Sequence, residues 1–263
     1  MFFSSPSFLI LALLAPVLSS FVYAIPLADP DSESDGESSN GKPIAFVLTG
    51  DSTTAKAGGW GDGFITFIEK PNIGTNHGKG GATTVSFKSG GNWGKAMDDV
   101  KKHVGQFQVY VTIQFGHNDQ KQPAGISISQ FQKNLAAMAA EVKSAGAIPI
   151  LVTSLTRRTF QGNKVVENLS NERTAAMAAA KSGGYKFIDL NVESTRYVNA
   201  IGQSNANKYN LAEKDFTHLN DHGGVVFGRM VADLISQAIP EAGKAFKKNE
   251  AISSAIKAGK PAK

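Results

Sequence analysis

The sequence contains no cysteine, which excludes a thiolate nucleophile, cysteine-based zinc sites and a thiol redox role. A body of about 200 residues can bury enough apolar surface to fold without disulfides. The hydrophobic fraction of 41% supports one sizeable core. After the first 24 residues there is no long apolar run, so no later segment is expected to span a bilayer. No nucleic-acid reader motif occurs. The Gly-rich stretch Asn76-His77-Gly78-Lys79-Gly80-Gly81 lacks the Gly-Lys-Ser/Thr of a phosphate loop. His77, His218 and His222 do not stand at metal-ligand spacing, so neither metal nor cofactor is called for.

Met1 to Ala24 carries no charge, has an apolar run from Phe8 to Val17 and ends in Val22-Tyr23-Ala24. It reads as a signal peptide, placing the protein outside the cell. Residues 25–41 form an acidic, Ser-rich linker with nothing to bury. The folded body is expected over 42–240, followed by a Lys-rich tail at 241–263 that reads as solvated and frayed. The formal net charge is +5, and five acids lie in the linker, so residues 41–263 carry +10. A basic exported body suits an acidic polymer. Asn168-Leu169-Ser170 is a glycosylation sequon. Nothing suggests an interface, so a monomer is expected.

Short apolar runs at Ile44–Thr49, Val109–Phe115, Ala147–Thr153 and Tyr185–Leu190 read as buried parallel strands. Helical spacing appears at Phe64–Ile68, Lys95–His103, Ser129–Ser144, Ser170–Ser182 and Asp221–Ala238, while 72–94 reads as Gly-rich loop. The alternation predicts an α/β three-layer sandwich, with a central parallel sheet flanked by helices. In such sheets sites gather at the carboxyl ends of the strands.

Three groups follow strand ends or precede the last helix. Ser52, in Gly50-Asp51-Ser52, reads as a nucleophile at a strand-to-helix turn or equally as a helix cap. Asn118, in Gly116-His117-Asn118-Asp119, can offer an amide to an oxyanion, or serve only in a turn. Asp215, three residues before His218, can orient that imidazole as a base for Ser52. The neighbouring pair Asp221-His222 competes for that assignment, although Asn220 and Asp221 also suit capping of the following helix.

Taken together, Gly50-Asp51-Ser52, Asn76 with Gly81, Gly116-His117-Asn118-Asp119 and Asp215-x-x-His218 stand in the order of the SGNH hydrolase blocks. The phrases GDSTTA and FGHND resemble the rhamnogalacturonan acetylesterase branch, as do Leu155–Phe160 and Phe187–Leu190. The resemblance spans about residues 44–238 and implies a flavodoxin-like sandwich. It also implies Ser52 as nucleophile, His218 as base and Asp215 as its orienting partner. Backbone N–H groups of Ser52 and Gly81 and the side chain of Asn118 would hold the oxyanion. The implied activity is removal of acetyl groups from rhamnogalacturonan or a related pectin. Acetylxylan or another short-chain ester, or a silent binder on the same fold, remain as alternatives.

Arg157 and Arg158 are candidates for pairing with substrate carboxylates, or form a solvated loop pair. Trp60 is the better of the two tryptophans for stacking on sugar, although burial in the core is the default for Trp60 and Trp93 alike. His77 and His117, beside two of the motifs, either line the cleft or are hydrogen-bonded scaffold residues, and His103, at a helix end, reads as structural.

Overall fold

The computed structural model describes Met1, Phe2 and residues 41–263. Residues 3–24 of the expected signal peptide and all of the linker but Gly41 lie outside the described residues, and 41–263 fall within one compact unit. The elements are β1 Ile44–Gly50, α1 Gly61–Ile65, β2 Ile73–Asn76, α2 Thr84–Ser89, α3 Asn92–His103, β3 Gln108–Gln114, α4 Ile128–Ser144 and β4 Ile148–Val152. There follow the hairpin β5 Phe160–Gln161 and β6 Lys164–Val165, then α5 Ser170–Gly183, β7 Lys186–Ile188, α6 Leu190–Ala206, α7 Asp221–Ala238, α8 Pro240–Gly243 and α9 Glu250–Lys257.

The five-stranded sheet has the order β2-β1-β3-β4-β7 and every pairing in it is parallel. Each strand is apolar because both of its faces are covered. Along β1, Ile44, Phe46 and Leu48 join one core with residues of α6 and α7, while Ala45 and Val47 join the other with α3 and α4. Side chains of a strand alternate between faces, so one run of seven serves both cores. Each fully buried large apolar side chain contributes about 1.5–3 kcal/mol. The three-layer sandwich is the expected one.

The chain leaves β1 to form β2 on one side, then crosses to β3 on the other. The carboxyl end of β1 is therefore a topological switch point, where an open α/β sheet leaves a crevice. The last residue of β1, Gly50, has no room for a side chain, since a Cβ there would lie 2.5 Å from the Gln114 carbonyl oxygen.

Two expectations need correction, and one helix was not anticipated. The stretch 72–94 is not all loop: it holds the edge strand β2, helix α2 and the start of α3. Helix α6 follows β7 directly, capped by the Asp189 side chain, which accepts from the Val192 N–H. The Lys-rich tail is not frayed either. Ala242, Ala245, Phe246, Ile252, Ile256 and Ala262 are buried in the core, and Phe246 stacks on Phe46 at 5.0 Å. The lysines stay outside while the interspersed apolar residues pack. No helix among the described residues is long and apolar enough to cross a membrane.

Candidate active site

Four loops converge beyond the carboxyl ends of β1, β2, β3 and β4. The first does not lead straight into a helix, as the sequence suggests. Ser52 lies in successive turns, with Thr54 and Ala55 N–H groups donating to the Asp51 carbonyl, and α1 begins only at Gly61. A polar web below fixes these turns. Asp51 Oδ1 accepts from Thr53 N–H at 2.8 Å and from Thr53 Oγ1 at 2.7 Å. Gln114 Nε2 donates to Thr53 Oγ1, and Gln114 Oε1 accepts from the Trp60 indole at 2.9 Å.

Trp60 is thus fully buried and holds the nucleophile turn from beneath, which removes it as a sugar-stacking residue. Trp93 is buried as well, and its indole donates to Glu141.

The loop before α7 brings in the base. His218 Nε2 lies 2.9 Å from Ser52 Oγ, and His218 Nδ1 lies 2.9 Å from Asp215 Oδ2. A carboxylate can only accept, so the imidazole carries its proton on Nδ1 and leaves Nε2 to accept from the serine hydroxyl. Asp215 Oδ1 also accepts from the backbone N–H of Thr217 at 3.1 Å and of His218 at 2.9 Å. Burial pushes the Asp215 carboxyl up, but these hydrogen bonds and the facing imidazole outweigh it and hold the group below the usual carboxylate range. Lys214, immediately before it, has φ 64° and is the non-glycine residue with positive φ among those described. His222 points elsewhere: its Nε2 meets the Ala262 carbonyl at 3.1 Å and its ring lies on Tyr209. Asn220 caps α7 by accepting from the Gly223 N–H at 2.8 Å.

Asn118 follows β3 and is 7% exposed. Its Nδ2 donates to the Ala82 carbonyl at 3.0 Å, which joins the Asn118 loop to the loop carrying Gly81. Gly81 itself has φ 74°, a conformation that costs glycine nothing and other residues something.

The two arginines separate. Arg158 is fully buried. Its backbone N–H donates to Phe216 O at 2.7 Å, Nη2 to His218 O at 2.6 Å and Nε to Asn210 Oδ1 at 2.6 Å. It therefore cannot meet a substrate carboxylate, and it clamps the loop that carries the base. Burial pushes its guanidinium down to about 10, with Asp215 opposing the shift, so it stays charged at neutral pH. Arg157 is half-buried and tethered, with Nη1 donating to Asn168 Oδ1 at 3.0 Å and Nη2 to His117 O at 3.4 Å. Asn168 is exposed. The clamp is what sequence reasoning missed; two adjacent arginines after β4 give no sign of which one turns inward.

Arg158→Met keeps most of the volume but leaves Asn210 Oδ1 without its donor, at about 1–3 kcal/mol, while the His218 carbonyl keeps only the Leu211 N–H at 3.0 Å. The expected result is a lower melting temperature and a fall in kcat on ester substrates with KM little changed. A rise in KM alone would restore Arg158 to the substrate-contacting residues.

Behind Ser52 sits a buried ionisable cluster. His117 Nδ1 is 3.4 Å from Asp51 Oδ2. Burial would raise the Asp51 carboxyl, but His117 and the bonds from Thr53 leave it below the usual range. Asp119 is raised by burial in spite of accepting from Thr84 N–H and Oγ1. Glu172, in the first turn of α5, is raised by burial too, with Asp119 adding to it and Arg157 opposing. A carboxyl with a raised folded-state pKa loses stability as pH climbs from its unfolded value to its folded one. Glu172→Gln is therefore expected to raise the melting temperature at pH 8 and leave it nearly unchanged at pH 4. A gain that is equal at both values would break the assignment. Among the described residues, no three His, Asp or Glu side chains are grouped to hold a metal ion.

A parallel three-layer sandwich with a hydrogen-bonded Ser, His and Asp at its switch point is the layout of an SGNH-type hydrolase. The chain belongs to the GDSL-like lipase/acylhydrolase family, which residues 48–224 match. It is 33% identical over 216 residues to the rhamnogalacturonan acetylesterase RhgT of Bacillus subtilis, covering 74% of this chain and 91% of that protein. The crystal structure of YxiM from Bacillus subtilis superposes with a TM-score of 0.64 at 25% identity, over 74% of this chain and 56% of YxiM. The chain thus spans about half of YxiM. An acetyl-xylooligosaccharide esterase, Axe2 of a Geobacillus, shares the fold at a TM-score of 0.53 and 17% identity, over 76% of this chain and 94% of Axe2.

Proposed function

We propose that this chain is a secreted serine esterase that removes acetyl groups from plant cell-wall polysaccharide, acetylated rhamnogalacturonan first among them. The observation that carries the reading is the unbroken chain of hydrogen bonds from Ser52 through His218 to Asp215. Ser52 Oγ attacks the acetyl carbonyl as His218 Nε2 takes its proton, and Asp215 steadies the imidazolium that forms. The tetrahedral oxyanion meets the N–H groups of Ser52 and Gly81 and the Asn118 amide. Collapse breaks the ester bond, and His218 returns the proton to the departing sugar hydroxyl. Water, activated by the same imidazole, then releases acetate and frees Ser52.

Two features support a large acidic substrate. The His218 and Asp215 side chains are 34% and 28% exposed, so an ester on a polymer can reach them. A cavity of about 630 Å³, lined by residues of α6, α7 and α9, includes none of the three. Lys56, Lys79 and Lys121 are exposed on the loops that also carry Ser52, Gly81 and Asn118, where uronate carboxylates would be drawn. The likeness to RhgT favours rhamnogalacturonan over xylan. Export rests on residues 1–24, and the chain is read as a monomer with a sequon at Asn168.

The test is acetate release from acetylated rhamnogalacturonan, acetylxylan and p-nitrophenyl acetate. Ser52-dependent release chiefly from the pectic polymer is expected. Release from acetylxylan alone would keep the esterase and discard the pectin assignment, and no release from any of them would favour a silent binder.

A further inference from the structure

We infer that Lys121 is a positioning residue for the oxyanion amide of Asn118, which it orients and polarises. The inference rests on the esterase reading above, in which Asn118 is a donor to the oxyanion.

An asparagine amide is useful to an oxyanion only with its nitrogen turned inward, and the two ends of the amide are nearly equal in shape. Two contacts decide the orientation here. Asn118 Nδ2 donates to the Ala82 carbonyl at 3.0 Å, and Asn118 Oδ1 accepts from Lys121 Nζ at 2.7 Å. Reversal of the amide would set Oδ1 against the Ala82 carbonyl oxygen and the NH₂ group against an ammonium, so both contacts would turn repulsive. The Ala82 contact uses one N–H of the amide and leaves the second for the substrate.

The source of the second contact is built into the turn. Lys121 N–H donates to the Asn118 carbonyl at 3.1 Å, which folds the lysine back over the asparagine three residues before it. Lys121 has no competing anion: the lysines in ion pairs among the described residues are Lys88, Lys101, Lys214 and Lys244. Its ammonium is thus available to the amide oxygen. A charge-assisted bond there draws electron density from nitrogen to oxygen and makes the remaining N–H a stronger donor. It also sets a positive charge in line behind the amide dipole, pointing toward the place where negative charge develops. Asn118 is nearly buried, so little water competes with this effect, while Lys121 is exposed and can be replaced without opening the core.

A lysine on the rim has one rival role, direct contact with a uronate carboxylate. A neutral small ester separates the two, because p-nitrophenyl acetate offers no carboxylate. Kinetics on this ester for wild type, Lys121→Met, Lys121→Arg, Asn118→Ala and the Asn118→Ala/Lys121→Met pair test the inference. One oxyanion donor is worth about 10²–10³ in kcat, and losing its polarisation is expected to cost about tenfold. Lys121→Met should show that loss in kcat with KM nearly unchanged, Lys121→Arg should recover most of it, and Lys121→Met should add nothing once Asn118 is alanine. A tenfold loss that persists in the Asn118→Ala background, or an unchanged kcat for Lys121→Met, overturns the inference while Ser52-dependent hydrolysis leaves the esterase reading standing. If the wild type cleaves no ester, that reading fails instead. The side-chain amide signals of Asn118 in ¹⁵N spectra then still decide whether Lys121 orients it. They should move in Lys121→Met and stay close to wild type in Lys121→Arg; signals unmoved in Lys121→Met overturn the inference.

Discussion

Ser52→Ala is expected to lower ester cleavage by roughly 10⁵–10⁶ in kcat, the size seen when a serine nucleophile is removed, with the melting temperature almost unchanged. The two halves of this result have separate causes. The fall in rate follows from the single contact of the hydroxyl with His218 Nε2 at 2.9 Å, since alanine leaves the imidazole nothing to deprotonate. The constancy of the fold follows from what holds the turn. Asp51 Oδ1, Thr53, Gln114 and the Trp60 indole make its hydrogen bonds, and the Ser52 side chain contributes to none of them. Residual activity of about 10³–10⁴ over water is expected from the oxyanion donors and from binding alone. Acetate release near the wild-type rate, by a variant of unchanged melting temperature, would remove Ser52 from the mechanism.

Much of this layout was legible because two different physical signals coincide. Strands β1, β3 and β4 are covered on both faces, so their side chains must be apolar throughout and stand out from the chain. Ser52, Asn118 and the Asp215-x-x-His218 group fall just beyond strand ends or before a helix, where an open parallel sheet can use them. What escaped is equally physical. Strand β2 is four half-buried residues, Ile73–Asn76, at the sheet edge, and half-burial leaves no apolar run. Helix α6 buries Asn191, Ser194 and Thr195 beside Tyr197 and Val198, so polar residues interrupt its helical period. Its buried asparagine and serine pair with the loop after β4, with Asn191 Nδ2 donating to Ser154 O and Ser194 Oγ accepting from Thr156 N–H. The tail misled through its lysine count, which says nothing of where Phe246 and Ile252 turn. Trp60 and Arg158 illustrate the same limit. Each was a fair candidate for substrate contact by type and position, and each is aimed inward, one under the nucleophile and the other under the base.

Two histidines four residues apart lie at the head of α7, and their replacements should behave in opposite ways. His218→Ala is expected to cost roughly 10⁴–10⁶ in kcat, because Ser52 and the leaving sugar lose the group that takes and returns their proton. Its melting temperature should change little, since that side chain is about one-third exposed, at 34%. His222→Ala should leave kcat within a few fold. Its Nε2 is bound to the Ala262 carbonyl at 3.1 Å and its ring rests on Tyr209. Tyr209 in turn shares a hydroxyl contact of 2.8 Å with Tyr197, and the Ala262 N–H donates to both hydroxyls. His222 therefore fastens the C-terminal segment to the core, and its loss is expected to lower stability by about 1 kcal/mol, the worth of one hydrogen bond. The contrast separates a chemical role from a structural one in a single pair of variants, with kcat and melting temperature read on the same preparations. An inactive but stable His222→Ala beside an active His218→Ala would mean that the base assignment is wrong, and with it the direction of proton transfer from Ser52.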